Sequence, residues 1–401
     1  MRQNLRVLNL TGIVLIQIGY LTTFNNIIMT FWVINTIIVF ALCVLLAGIL
    51  IPQILLIAYC RNLFDEVNER KIHHGAIPRL GGFAFVPVIM LSIALTLAGN
   101  VLLGNHEFLN ALSDWVLLLT MVFCSVQLLY LIGIADDLIG IKYRAKFVIQ
   151  LICAALLIVA GCWFTTFCGI LGIEDVPAGF GIPFTAIVIV FIINAINLID
   201  GIDGLASGLS SIAAAIYGVS FLMMGQYAFA ILAFAMLGVL FPFFYYNVFG
   251  NVEKHSKIFM GDTGSLTIGL MLSVLGIKLF THPVDPALQF QPCVLAFSPL
   301  IIPAFDVVRV YIVRIRNHKS PFLPDKNHIH HKFLAAGMTP RPAMVSIISI
   351  STLYTLLNLA LSRYMNVNLI VVADVVIWIL FHLWLNKRIA RIKAEASDKK
   401  E

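Results

Sequence analysis

Long apolar runs, broken at fairly even intervals by short polar stretches, fill the chain from residue 31 to residue 386. A helix that crosses a bilayer needs about 20 mostly apolar residues to match a hydrocarbon core roughly 30 Å thick. Windows of that kind predict spans near 31–59, 80–103, 115–134, 146–165, 182–199, 207–224, 228–248, 262–281, 292–313, 342–363 and 367–386. Helices satisfy their own backbone hydrogen bonds inside lipid, so the pattern predicts an all-α, polytopic membrane bundle of about 11 transmembrane helices. Residues 7–24 (VLNLTGIVLIQIGYLTTF) are ambiguous. They read as a twelfth span, as an interfacial segment, or as residues ahead of a chain that starts at Met29. A cleaved signal peptide is disfavoured, because no small-residue cleavage pattern follows. There is no internal repeat, and the longest polar segment, 314–341, is too short for a separate soluble domain. The organisation is an N-terminal segment 1–30, one polytopic domain 31–386 and a basic tail 387–401.

Composition agrees with the pattern: 60% of residues are hydrophobic and 11% are charged, far from the balance of a soluble globular chain. The seven cysteines lie mostly inside apolar runs and lack metal-ligand spacing, so they read as small hydrophobes. A disulfide between Cys162 and Cys168 is not expected. The net charge of +6 does not indicate nucleic acid, because its distribution follows the membrane. Loops at 60–79, 135–146, 200–206, 249–261 and 309–341, with the tail from Lys387, hold 22 of the 26 Lys and Arg residues; the other side holds Arg2, Arg6, Lys278 and Arg363. Lys and Arg excess marks cytoplasmic loops. The charged loops of this multi-pass chain are therefore expected in the cytoplasm.

Ionisable groups at membrane depth are costly and usually functional. Here they gather at span ends on the predicted cytoplasmic side. Asp136 and Asp137 end the third span, with Lys142, Arg144 and Lys146 just beyond. Adjacent carboxylates repel, so one is readily held protonated or held for a metal while the other acts as a base. Asn194, Asn197, Asp200 and Asp203 are spaced by three, which on a helix aligns them on one face. Gly201 and Gly204 beside them let a ligand approach the backbone. Asp262, in FMGDTGSL, opens the eighth span, where it is placed either to cap the helix or to hold a hard cation that also takes substrate phosphates. Asn247 ends the preceding span on the same side. His328, His330 and His331 sit in PDKNHIHHKF among Arg314, Arg316, Lys319, Lys326 and Lys332, which favours an anion-binding loop over a zinc site. Together these groups suit phosphoryl transfer between a soluble nucleotide and a lipid phosphate, in which the protein positions groups and stabilises charge.

Five motifs in order, RKIHHGAIPRLGG, DDLIGIKYRAKFVIQ, NAINLIDGIDGLA, FMGDTGSL and PDKNHIHHKF, resemble those of the polyprenyl-phosphate N-acetylhexosamine-1-phosphate transferases, from about Arg70 to Lys332. The HIHH form is most similar to the branch that uses UDP-N-acetylglucosamine. The resemblance implies transfer of a sugar-1-phosphate, most simply GlcNAc-1-phosphate, from a UDP-sugar donor to undecaprenyl phosphate with release of UMP, which starts a cell-envelope polysaccharide. It implies Mg²⁺ (or Mn²⁺) held by Asp262 with Asn197. Asp136 and Asp137 become the acidic pair near the reacting phosphates, with Asp203 counted among the catalytic carboxylates. Lys146 would bind nucleotide or phosphate, Asp200 and Asp203 would line the uridine and phosphate pocket, and Asn194 and Asn247 would contact substrate. His328, His330 and His331 would meet the sugar side, and Lys71 and Arg79 the donor or lipid phosphate. A homodimer is left open, and no nucleic-acid partner is expected.

Two rival readings fit less well. An intramembrane prenyltransferase wants a further carboxylate at DDxxD-like spacing, where this chain has Gly140. A lipid-linked-sugar transporter wants charges buried mid-span; Asp306 is the main one, and Arg309 at i+3 is placed to pair with it.

Overall fold

The computed structural model describes residues 2–64, 77–283, 290–318 and 327–398, with side chains from Met29 onward in those ranges apart from 111, 396 and 397. In order, the helices are α1 (Arg2–Cys60), α2 (Phe85–Leu102), α3 (Glu107–Ser113), α4 (Val116–Ile139), α5 (Tyr143–Val159), α6 (Ala178–Ile199), α7 (Leu205–Met223), α8 (Tyr227–Phe249), α9 (Gly261–Phe280), α10 (Pro292–Phe297), α11 (Ile301–Arg316), α12 (Ile329–Ala335), α13 (Pro340–Ser362) and α14 (Val367–Asp398). Short 3-10 turns at Gly81–Ala84 and Ser298–Leu300 lead into α2 and join α10 to α11. A two-stranded antiparallel hairpin, β1 (Thr166–Ile170) and β2 (Ile173–Asp175), follows α5.

Ten helices among the described residues are long and apolar enough to cross a membrane, with α10 and α11 forming one of them. The chain is thus a multi-pass, all-α membrane protein. The 17 residues of α5 fall short of that length, yet the helix crosses the bundle. Lys146 near its start reaches Asp136 at the end of α4, and the hairpin after it packs against the start of α14. Ten described helices thus match predicted spans in order, with the shorter α5 at the place of the fourth. Residues 7–24 continue α1 with no turn before the span Met29–Cys60. The tail from Lys387 continues α14 as far as Asp398. Both Cys162 and Cys168 are free thiols.

At the centre is α9, packed against α4, α6, α7 and α10 and buried on all faces from Thr263 to Ile277. Its sequence explains this position. Gly264, Ser265, Thr267, Gly269, Ser273 and Gly276 keep the helix thin, and close packing rather than a hydrophobic drive holds helices together in lipid. A Cβ on Gly269 would lie 2.8 Å from the Cα of Ile193 in α6. The buried hydroxyls of Thr267 and Ser273 donate to carbonyls of their own helix, so they cost little in an apolar surrounding. Large apolar side chains on the outer helices, such as Leu131, Ile187, Leu353 and Leu356, are exposed and face outward, where lipid tails would lie.

Candidate active site

The first residues of α9 are the point on which four motifs converge. Residues 78–82 run alongside the segment that leads into it: Gly81 N donates to Phe259 O (2.9 Å), Gly82 N to Met260 O (2.8 Å) and Phe259 N to Pro78 O (2.9 Å). The contact is backbone against backbone. A Cβ on Gly82 would lie 2.1 Å from Gly264 N, and one on Gly133 of α4 would lie 2.5 Å from Thr263 Cα. Gly261 adopts φ +74°, and a Cβ there would meet both Arg79 O and the Asp137 carboxylate. Bulk at any of these positions would part the elements that carry the acidic residues.

The acidic pair at the end of α4 divides its work. Asp137 accepts from Asp262 N (2.8 Å), Thr263 N (2.9 Å) and Thr263 Oγ1 (2.6 Å), so a carboxylate on one helix caps another. Asp136 accepts from Ile141 N (2.7 Å) through Oδ1, while its Oδ2 faces Lys146 Nζ at 3.1 Å. The same ammonium lies 2.7 Å from Asp262 Oδ2, so Lys146 bridges carboxylates from α4 and α9. Asn197, in the last turn of α6, donates to Asp262 Oδ1 (3.2 Å) and Ser265 Oγ (2.8 Å). Two carboxylates meeting at one cation are the arrangement a divalent ion would reinforce. Among the described residues no three His, Cys, Asp or Glu side chains converge as a metal cage. An all-oxygen set of two carboxylates and an amide suits Mg²⁺, which keeps waters and substrate phosphates for its remaining positions.

The four polar residues spaced by three do not share one helix face. The α6 helix ends at Ile199, and Asp200 and Asp203 lie in the turn before α7, where Gly204 takes φ +77°. Asn247 fixes this turn: its Oδ1 accepts from Gly204 N (2.6 Å) and its Nδ2 donates to Ile258 O (2.8 Å). Its amide is therefore committed to backbone rather than turned toward a ligand. Asn194 lies one turn deeper than Asn197, paired with Gln150 of α5 (2.7 Å), and does not join the cluster. Asp203 pairs with Lys257 at 2.5 Å. Lys71 falls outside the described residues, whereas Arg79 lies close enough to Asp200 to stabilise its charge.

Burial, then the negative charges of Asp262 and Asp203, raise Asp200 to about 7, against the pull of Arg79. A carboxyl raised in the folded state binds a proton there that the unfolded chain has already lost at pH 5–7. Folding stability contributed by this group is thus present at low pH and lost as pH rises toward 7 and beyond. Thermal unfolding in detergent without divalent cation is expected to show a lower midpoint at pH 8 than at pH 5.5. Asp200→Asn should flatten that dependence, and an unchanged slope in the variant would assign the effect to other groups.

The histidine segment docks on the Asp200 turn. His330 Nε2 lies so near Gly201 that a Cβ on that glycine would be 2.2 Å from it. Burial, with the neighbouring His331 and His328, lowers His330 to about 3, so its ring stays neutral. The His328 and His330 rings are parallel with centroids 6.0 Å apart, and His330 and His331 are 4.2 Å apart. Lys332, just beyond, is lowered to about 8 by burial and by Arg309. Residue by residue, the structure brings Asp136, Asp137, Lys146, Asn197 and Asp262 into one contact network. Asp200, Asp203, Arg79 and the three histidines stand beside it.

Comparison with known proteins gives this arrangement a context. The sequence profile of glycosyl transferase family 4 matches residues 118–280, which run from α4 to the end of α9. An undecaprenyl-phosphate alpha-N-acetylglucosaminyl 1-phosphate transferase of Escherichia coli (strain K12) is 31% identical over 293 residues, 71% of this chain and 73% of its own length. The protein of the same name from Yersinia pestis is 29% identical over 303 residues, 74% of this chain and 76% of its own. A Bacillus subtilis protein named "Probable undecaprenyl-phosphate N-acetylglucosaminyl 1-phosphate transferase" is 30% identical over 325 residues, 80% and 84% of the two lengths.

Proposed function

This chain belongs to glycosyl transferase family 4, and on that premise we propose that it transfers N-acetylglucosamine-1-phosphate from UDP-N-acetylglucosamine to undecaprenyl phosphate. The observation that carries the reading is the Lys146 bridge between Asp136 and Asp262 at one end of a membrane bundle, beside the Asp200 turn and the histidine segment. That end also carries most of the Lys and Arg residues, so it faces the cytoplasm, where nucleotide sugars are made.

The reaction is a single displacement. An oxygen of the lipid phosphate attacks the β-phosphorus of the UDP-sugar, the bond from that phosphorus to the bridging oxygen breaks, and UMP leaves. Asp262 and Asp136, with the Asn197 amide, would hold Mg²⁺, which supplies charge neutralisation on the diphosphate when bound. Lys146 balances the carboxylates and the incoming phosphates. Of the acidic pair, Asp136 rather than Asp137, whose oxygens are both taken by the start of α9, would activate the lipid phosphate. The Asp200–Asp203 turn, with Arg79, lines the uridine and phosphate side, and His328, His330 and His331 meet the donor.

Purified protein with undecaprenyl phosphate, Mg²⁺ and UDP-N-acetylglucosamine is expected to release UMP and form a lipid-linked sugar phosphate. Turnover that disappears with EDTA and returns with Mg²⁺ would support the cation. No UMP with any UDP-N-acetylhexosamine would overturn the reading, and a trapped covalent phospho-sugar enzyme would replace single by double displacement.

A further inference from the structure

Asp306 lies in α11, apart from the acidic cluster, and is completely buried. A carboxylate in such a place is costly unless donors surround it. Three do. Arg309 NH2 donates to Oδ1 at 2.7 Å, Ile329 N donates to Oδ1 at 2.9 Å, and His328 Nδ1 lies 2.8 Å from Oδ2. Arg309 also donates to Asn327 O, so it grips the residue before the histidines as well. Two of the three donors belong to the HIHH segment, which is thereby seated on α11.

We infer that Asp306 is a positioning residue for His328: it holds the ring and the proton on Nδ1, so that Nε2 is the nitrogen offered to the sugar donor. The inference rests on the donor-side reading of the histidine segment given above. An ionised carboxylate only accepts hydrogen bonds, so the ring nitrogen facing it carries the hydrogen. A buried carboxylate behind an imidazole fixes both tautomer and orientation, as it does in triads and around metal-bound histidines. The effect reaches further than one ring. His328 lies parallel to His330, and His330 rests on Gly201 of the turn that carries Asp200 and Asp203. Asp306 therefore sets how the donor-facing histidines stand against the acidic turn.

Asp306→Asn tests this, because an amide has one accepting and one donating end. With its oxygen kept for Ile329 N and Arg309, its NH2 faces His328 Nδ1 and drives the hydrogen to Nε2. The ¹⁵N spectrum of imidazole-labelled protein in detergent, with the His328 signal identified by its loss in His328→Gln, should show Nδ1–H in the wild type and Nε2–H in the variant. In kinetics, Asp306→Asn should lower kcat/KM for UDP-N-acetylglucosamine by about 10²-fold, with KM for undecaprenyl phosphate unchanged. Placed in a His328→Gln background, the same substitution should cost less than about 3-fold more, because residues that act as a unit are not additive. Nε2–H in the wild type would overturn the inference, and that measurement needs no Asp306 variant to fold. Equal cost in the two backgrounds would also overturn it, leaving Asp306 as a staple of the fold. A wild type without transferase activity would sink the functional reading but leave the tautomer measurement to decide on Asp306.

Discussion

Replacing Asp262 with alanine is expected to lower UMP release by about 10³-fold or more, while the protein stays folded in the membrane. The two halves of this expectation have different causes. Asp262 is the carboxylate on which Lys146 and Asn197 converge, at 2.7 and 3.2 Å, and it is one of the two that would hold Mg²⁺. Without it, one carboxylate and an amide remain, too little to hold a divalent ion against water. Its side chain has no part in starting α9, because the N–H groups there are capped by Asp137. It is also 21% exposed, so its removal leaves no sealed cavity. UMP release and thermal unfolding, measured on matched detergent preparations, separate the two effects. Turnover near that of the wild type would remove Asp262 from the cation site.

The spans and the site were legible in the sequence to different depths. Helix order could be read because each crossing is a long apolar run ended by charge, and a span that lacks such a run is costly in lipid. Even α5, at 17 residues, kept its place because Lys142, Arg144 and Lys146 mark its start. The members of the acidic cluster were recognisable because carboxylates in so apolar a chain call for a reason. Their division of labour was hidden. Spacing by three placed Asn194, Asn197, Asp200 and Asp203 on one helix face, but Gly201 and Gly204 let the chain leave the helix after Ile199. Asn194 then pairs with Gln150, a partner 44 residues away that no local pattern reveals. Asn247 looked like a ligand residue because it is polar and ends a span, yet both ends of its amide hold backbone groups of neighbouring loops. Asp306 had one visible partner, Arg309 at i+3; the second, His328, lies 22 residues on and is brought back by the seating of α12 against α11. Local spacing shows which groups are unusual, whereas their roles depend on contacts that only the folded bundle makes.

Asp137→Asn is expected to injure stability and turnover together, unlike the Asp262 change. In the wild type both oxygens of Asp137 are taken by the first turn of α9, through Asp262 N, Thr263 N and Thr263 Oγ1. Those N–H groups have no partner within their own helix, and the start of α9 is packed between residues 78–82 and α4, so water cannot easily replace the cap. An asparagine keeps one accepting oxygen and turns an NH2 toward a donor. Leaving a buried donor unsatisfied costs about 1–3 kcal/mol, so the midpoint of thermal unfolding should fall measurably. Turnover should fall as well, because Asp262 is carried by the residue whose N–H has lost its cap, and misplacing a group by about 1 Å can cost on the order of 10²-fold. Both losses should persist at saturating Mg²⁺, since the defect lies in the position of the ligand and not in occupancy. Loss of turnover at wild-type stability would show that Asp137 acts on the phosphates directly. The adjacent acids would then be the reacting pair that their sequence suggests, rather than one chemical and one structural carboxylate.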